Sequence, residues 1–468
     1  MPRHAYIWFV LVGYLCIFTP SSSSIQYDKN PNTKSGESAL DSKIGTTIHK
    51  KSPTSSSSPD VDSLSCQDLD GDGSLNTTCL LRSQLNLNSD LYVYGNGNLE
   101  ILPYVSVMCL IEGCTVTFNL SGYVNIGHHA TVVAGTVVFS ASNLRMDDGS
   151  SVNTTSLGGL PPPQTSGVPA GYEGAGGGHG GRGASCWKNR KKNVWGGDVY
   201  GWSSLQEPWS YGSKGGRKSP ESRYGGNGGG RIRVAVTDVV YVNGFVTADG
   251  GFGGSAGGGG SGGSIFVQAG KLKGYGTISA AGGTGWGGGG GGRISLDCRS
   301  IQDDLKISVR GGLSIGCPEN GGAAGTYFNA DSLTLRVGND NVTTETETIF
   351  LDFPSSPFWS HATVENNARV LAPLLWSRIQ VRGQISLYRR GSIIFGLGYF
   401  PMFSEFELVA EELLVSDSTI KVFGELRVTV KKMLMWNSKI DQTAVDELED
   451  GKGFVSDVEF PKTNLVLP

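Results

Sequence analysis

Beyond Pro20 the chain lacks any long apolar run. No later segment offers about eighteen consecutive apolar residues, the least a helix needs to cross a bilayer, so the processed chain is expected to be soluble. Charge of one sign is missing too: 38 Lys and Arg stand against 42 Asp and Glu, for a net charge of −4. Without a basic field to release counterions, nucleic acid is not an expected partner. From Ser63 to about Gly159 no segment keeps a sustained helical period, and that part reads as all-β. Histidine is scarce, at six residues. His128-His129 has no Cys or His at metal-site spacing and reads as surface.

What the chain has instead is glycine, 71 of 468 residues, roughly twice the ordinary share of ~7%. A Gly-rich run normally behaves as flexible coil. Here, however, "GYGTISAAGGTGWGGGGGGRISL" (274–296) and its neighbours are interrupted on a schedule. "RIRV" from Arg231, "SIFV" from Ser264, "RISL" from Arg293 and "TYF" from Thr326 each follow a glycine stretch. Their separations are 264 − 231 = 33, 293 − 264 = 29 and 326 − 293 = 33. A second phrase keeps step: "NGFVTADGG" from Asn243, "GYGTISAAGG" from Gly274 and "LKISVRGG" from Leu305. Each is a short alternating segment rich in β-branched residues that ends at Gly-Gly, the pattern of a strand followed by a turn. A spacer has no reason to hold such a period, whereas a repeat that stacks on its neighbours does.

A shorter period follows. Leu414, Ser418 and Ile420 recur as Leu434, Ser438 and Ile440, 20 positions on. Twenty residues is the size of one coil of a β-helix, and the longer period reads as a coil plus a Gly-rich loop. The expected fold is all-β: a right-handed parallel β-helix or β-solenoid with glycine-rich turns and one long loop insertion.

The chain divides by composition. Arg3 and His4 precede an apolar stretch (5–18), then Pro20 and four serines, the layout of a secretory signal peptide over 1–24. Residues 25–62 are a Ser-rich linker without apolar period, expected to be disordered. N-terminal solenoid coils are expected over 63–159, Gly-rich β repeats over 225–335, and C-terminal coils over 336–468. Between them, 160–224 is a Gly/Trp-rich basic insertion. It contains His179, then Lys188 and Arg190 in "WKNRKK", then Trp195, Trp202 and Trp209 every seven residues. A loop on a rigid scaffold is the expected contact region, with the tryptophans either packing it down or stacking on sugars.

Secretion makes the cysteines readable. Cys66 with Cys79 and Cys109 with Cys114 suit local bridges. Cys186, Cys298 and Cys317 complete an odd set of seven, leaving one thiol free or paired elsewhere. Sequons at Asn76, Asn119, Asn153 and Asn341 fit a glycoprotein.

Chemistry is thinner. Asp147-Asp148, Gly178-His179-Gly180 and Arg231-Ile232-Arg233 occur in the order of the polygalacturonase-type β-helix glycosidases, where paired carboxylates supply acid and base. The Asn-Thr-Asp element of those enzymes is missing upstream, and Arg231 belongs to a structural repeat. Asp68, Asp70 and Asp72 begin like a calcium loop, but the twelfth position is Cys79 rather than Glu, so a plain turn is the preferred reading. Gly-x-Ser-x-Gly at Ser255 and Ser261 arises readily in Gly/Ser sequence and carries no argument for a nucleophile. No cofactor is expected, with calcium the one alternative.

"SCQDLDGDGSLNTTC" from Ser65, "GGGHGGRGASC" from Gly176 and the "GGGGGGRISL" repeat together resemble the N-terminal part of a large family of plant glycine-rich secretory proteins, longer and membrane-associated. That resemblance covers nearly all of the chain after the signal. It implies passage through the secretory pathway and supplies no catalytic residues. Because this chain is shorter, membrane association is expected only of a longer natural protein. The expected function is a non-enzymatic secreted glycoprotein, an extended scaffold or adhesion surface at the cell wall or membrane, with acidic wall polysaccharide or other secretory-pathway proteins as partners. The alternative is a β-helix hydrolase or lyase acting on pectin-like polymers.

Overall fold

In a computed structural model, the described residues are 64–442, apart from 162–173, 190–191, 194, 201–204, 218–224, 303, 351–358, 374–376 and 398–403. The signal peptide and linker expected over 1–62 lie outside them. The described chain is all-β, with largely parallel sheets.

It opens on a closed corner. A 3-10 turn at Gln67–Leu69 leads into the strand Gly71–Gly73, antiparallel to Thr78–Leu81, and Cys66–Cys79 locks the two ends together. From there pairing is parallel, each strand laying itself on one from an earlier period. One series runs Thr115–Leu120, Thr136–Ala141, Arg231–Val236, Ser264–Lys273, Arg293–Ile301 and Thr326–Asn329. Another runs Ser106–Met108, Thr131–Val133, Ser151–Asn153, Phe245–Thr247, Thr277–Ser279 and Lys306–Ser308. The sequence period is the register itself: Arg231 pairs Ser264, Ser264 pairs Arg293, and Arg293 pairs Thr326.

Alternation explains the packing. Along Arg231–Val236 every second residue is buried, and register stacks like on like: Val116, Val137, Ile232, Ile265 and Ile294 form one column, each at most 1% exposed. β-Branched side chains suit such a pleated, half-buried surface. Phe118 and Phe139 stack in the next column at 5.4 Å.

An antiparallel pair, Thr326–Asn329 with Thr334–Gly338, then leads to a second parallel series: Trp359–Glu365, Arg378–Tyr388, Glu405–Ser416 and Glu425–Trp436. Thr348–Ile349, Arg369–Ala372, Ser392–Phe395, Thr419–Val422 and Lys439–Gln442 pair alongside. Leu414 pairs Leu434 and Ile420 pairs Ile440, as the 20-residue repeat requires. Two separate apolar cores result, one spanning Cys66 to Val309 and one spanning Ala324 to Val428.

The glycines correct the sequence reading. Expected as turns, many instead form a buried bundle beside the sheets. Successive N–H groups of residues 258–263 donate to three different neighbours in rotation. Gly258 and Ser261 reach Gly216 and Ser213, Gly259 and Gly262 reach Gly287 and Gly290, and Gly260 and Gly263 reach Gly251 and Ala248, all at 2.7–3.0 Å. Residues 287–292 repeat the scheme: Gly287 and Gly290 donate to Gly174 and Gly177, Gly289 and Gly292 to Gly283 and Ala280. Three residues per turn with no internal hydrogen bond is polyproline-II geometry, built here from glycine.

Glycine is required in the bundle for closeness. A Cβ on Gly258 would overlap the Ala175 carbonyl oxygen, one on Gly259 that of Gly283, and one on Gly260 that of Asn227. The long insertion is part of this bundle, since 174–184 and 212–216 pack inside it. Cys186–Cys317 staples it across a sequence separation of 131.

Candidate functional site

The described part of the contact region expected over 160–224 is largely interior. His179 is fully buried: Nδ1 donates to the Gly262 carbonyl at 2.8 Å and the ring stacks on Tyr200 at 4.7 Å. Burial first, and then the Arg293 charge, push its pKa down to about 3, so it is neutral at ordinary pH. Tyr200 donates to the Tyr211 carbonyl at 2.5 Å and accepts from Ser213 at 3.0 Å. Arg293, also buried, donates to the Tyr200 carbonyl and to Thr326 Oγ1, each at 3.0 Å. Burial pulls its pKa down to about 10.

Two of the three heptad-spaced tryptophans pack onto arginines, Trp195 onto Arg182 within the insertion and Trp209 onto Arg231 of a parallel strand. The Arg182 guanidinium lies 4.0 Å from the Trp195 ring centroid. That of Arg231 lies 4.4 Å from Trp209 and 4.3 Å from Tyr211. The Arg231 contacts tie the insertion to the parallel strands, while the Arg182 contact braces it internally. Lys188 falls in a two-residue antiparallel strand with Asn189, whereas Arg190 and Trp202 lie outside the described residues. His179 as a contact residue is thus overturned: a Gly-rich segment without apolar side chains looks exposed, yet its backbone is what packs.

The glycosidase constellation does not assemble. Asp147 pairs with Arg145 at 2.8 Å, and Asp148 accepts from Tyr275 at 2.6 Å. His179 is sealed in the bundle, and Arg231 is held between aromatic rings. Ser261 is also fully buried, with Oγ donating to the Gly178 carbonyl.

The acidic stretch near the start is likewise structural. Asp68 accepts from the Ser65 hydroxyl and N–H at 2.7 and 2.8 Å, which holds its pKa below the usual carboxylate range. Asp70 is the left-handed residue ending the 3-10 turn, and Asp72 pairs with Arg82 at 2.8 Å. Among the described residues no three His, Cys, Asp or Glu side chains gather as a metal group. Asp68 and Asp72 thus spend their carboxylates on the turn and on the hairpin, in keeping with the plain-turn reading.

The local bridges Cys66–Cys79 and Cys109–Cys114 form, and Cys186–Cys317 adds a third that spacing did not suggest. Among the described residues Cys298 is the free thiol, buried, its pKa pushed up to about 12 by burial. Of the sequons, Asn76, Asn119 and Asn341 are exposed. Asn153 is half-buried, and its Oδ1 accepts from Thr155 N–H and Thr247 Oγ1.

The site that the structure does build is a polar groove of 1040 Å³ along one corner of the second parallel series. Its floor is a register ladder, Ser392 on Thr419 on Lys439. Its rim is a column of left-handed corner residues: Asn341, Asn367, Arg389 and Arg390, Asp417, and Asn437. Backbone bonds join the corners, Asn367 N–H to the Arg389 carbonyl at 3.1 Å and Arg390 N–H to that of Asp417 at 2.8 Å. Asn and Asp tolerate left-handed φ because their short side chains bond locally. Here Asn367 Nδ2 donates to the Asn341 carbonyl, and Asn437 Nδ2 to Asp417 Oδ1.

Arg389 and Arg390 break that pattern at φ 48° and 66°. For a long side chain this conformation costs on the order of 1–3 kcal/mol per residue. Both are exposed, and among the described residues neither guanidinium makes an ion pair or side-chain hydrogen bond. Sequence reasoning missed them, since two adjacent arginines stand out only once register places them where the neighbouring strands' corners carry Asn or Asp. No known protein family, curated protein or solved structure matches this chain.

Proposed function

We propose that the chain is a non-enzymatic scaffold of the secretory pathway, a glycoprotein of the plant cell wall or membrane surface. Its parallel strands wind as a β-solenoid, braced by the glycine bundle, to hold a binding surface in fixed geometry. The observation that carries this reading is the continuity of register. Arg231, Ser264, Arg293 and Thr326 stack in successive strands, and the glycine stretches between them are absorbed into one hydrogen-bonded lattice. Such repetition, in which each unit rests on its neighbours, builds extended binding surfaces. Exposed Asn76, Asn119 and Asn341 supply positions for glycans, and three disulfides suit an oxidising compartment.

The test is to present the secreted chain with an array of wall polysaccharides and to follow both retention and product release. Retention without turnover is the expected result. Release of shortened oligosaccharides, lost on Asp148→Ala, would replace the scaffold with a hydrolase or lyase.

A further inference from the structure

We propose that the Arg389/Arg390 groove binds a linear, carboxylate-bearing polysaccharide laid along the stacked corners, an inference that rests on the scaffold reading and names its ligand class. Three observations converge on it. Arginine occupies the left-handed corner where the coils on either side use Asn or Asp, and backbone strain kept at an exposed position points to function. The two arginines line a groove whose one lining carboxylate is Asp417; Lys439, also in the lining, is paired with Asp441 at 3.0 Å and leaves the arginines as the unpaired cations there among the described residues. The Asp417 carboxylate is already engaged, Oδ1 accepting from Asn437 Nδ2 at 2.7 Å and Oδ2 from Ser416 Oγ at 3.3 Å. Arginine's planar fork is matched to carboxylates.

The lining also chooses between polymers. Apart from the charged residues it is all Asn, Ser and Thr, groups that exchange hydrogen bonds with hydroxyls. It offers no apolar pocket of the kind that seats peptide side chains. The corners of five chain segments, ~4.8 Å apart, give a track roughly 20 Å long, which suits an extended chain rather than a single small anion. Asn341 stands at one end of this track, so a glycan there would bound the polymer on that side.

The test is equilibrium binding of the secreted chain to polygalacturonate, its fully methyl-esterified form and dextran sulfate, alongside an Arg389→Asn/Arg390→Asn variant. Polygalacturonate is expected to bind and to weaken with added salt, and the esterified polymer to fail. The variant is expected to lose at least tenfold in affinity while melting no lower than the parent, because Asn suits the left-handed corner. Unchanged affinity in the variant, equal binding of the esterified polymer, or equal binding of dextran sulfate would each overturn the carboxylate assignment. The comparison of free-acid and esterified polymer needs no variant, so a misfolded double substitution leaves the proposal decidable. None of these results involves turnover, so the groove assignment can fail while the scaffold stands. Product release would sink the scaffold itself.

Discussion

Single atoms decide much of this structure, and Gly260 shows how. A methyl group there would occupy the space of the Asn227 carbonyl oxygen, so Gly260→Ala is expected to cost at least ~1–3 kcal/mol through overpacking. Gly338 is the control: the nearest atom to its added Cβ is 3.5 Å away, so Gly338→Ala is expected to stay within about 0.5 kcal/mol. Urea denaturation of the two variants separates a packing role from a general intolerance of alanine.

His179 makes a second test at this scale. Its folded pKa, about 3, lies below the ordinary 6.5, so the unfolded chain binds the extra proton between those values. The stability this gives is fully present above pH 6.5 and is lost as pH falls toward 3, at up to ~1.4 kcal/mol per unit. Melting from pH 7 to pH 5 is therefore expected to cost about 2 kcal/mol through this residue. A His179→Gln variant is expected to flatten the pH dependence in that window. An equal slope in the variant would assign the effect elsewhere.

At the scale of elements, the Cys186–Cys317 bridge ties the insertion to the glycine bundle across 131 residues. A closure of that length is expected to contribute ~2–4 kcal/mol, read as a lowered denaturation midpoint in Cys186→Ser/Cys317→Ser. Cys298 is the companion measurement. Buried and with its pKa near 12, it is expected to resist iodoacetamide in the native chain and to be alkylated once the strands open. Strands were legible from sequence wherever apolar and polar residues alternate, as in Arg231–Val236. The insertion was not legible, because 174–184 buries backbone rather than side chains, and no hydropathy pattern records that.

Over the whole molecule, stability should follow the stacking. Glu425–Trp436 closes the described series with only Val428 buried, whereas Leu408, Leu413 and Val415 of the neighbouring Glu405–Ser416 are all sealed. Hydrogen exchange is therefore expected to be fastest in Glu425–Trp436 and slower toward the preceding strands, since each repeat is held by its neighbours. Amides of 258–263 and 287–292 are expected to be as protected as those of Ile265 and Ile294. Rapid exchange at these glycines would mean that the bundle is not a packed element.

The sequence by itself determined the β class, the period and the register, because stacking identical phrases in parallel places like side chains on like and makes each repeat its neighbour's template. It also pointed to the two short-range disulfides, where a few intervening residues limit the geometry. The sequence left open where the glycines go and where the groove lies. Glycine at 258–263 satisfies its hydrogen bonds with three partners far apart in the chain, so only the assembled neighbours distinguish a packed helix from a turn. Arg389 and Arg390 gain meaning from the Asn and Asp at the corners on either side, a relation that exists only once the parallel strands are paired in register.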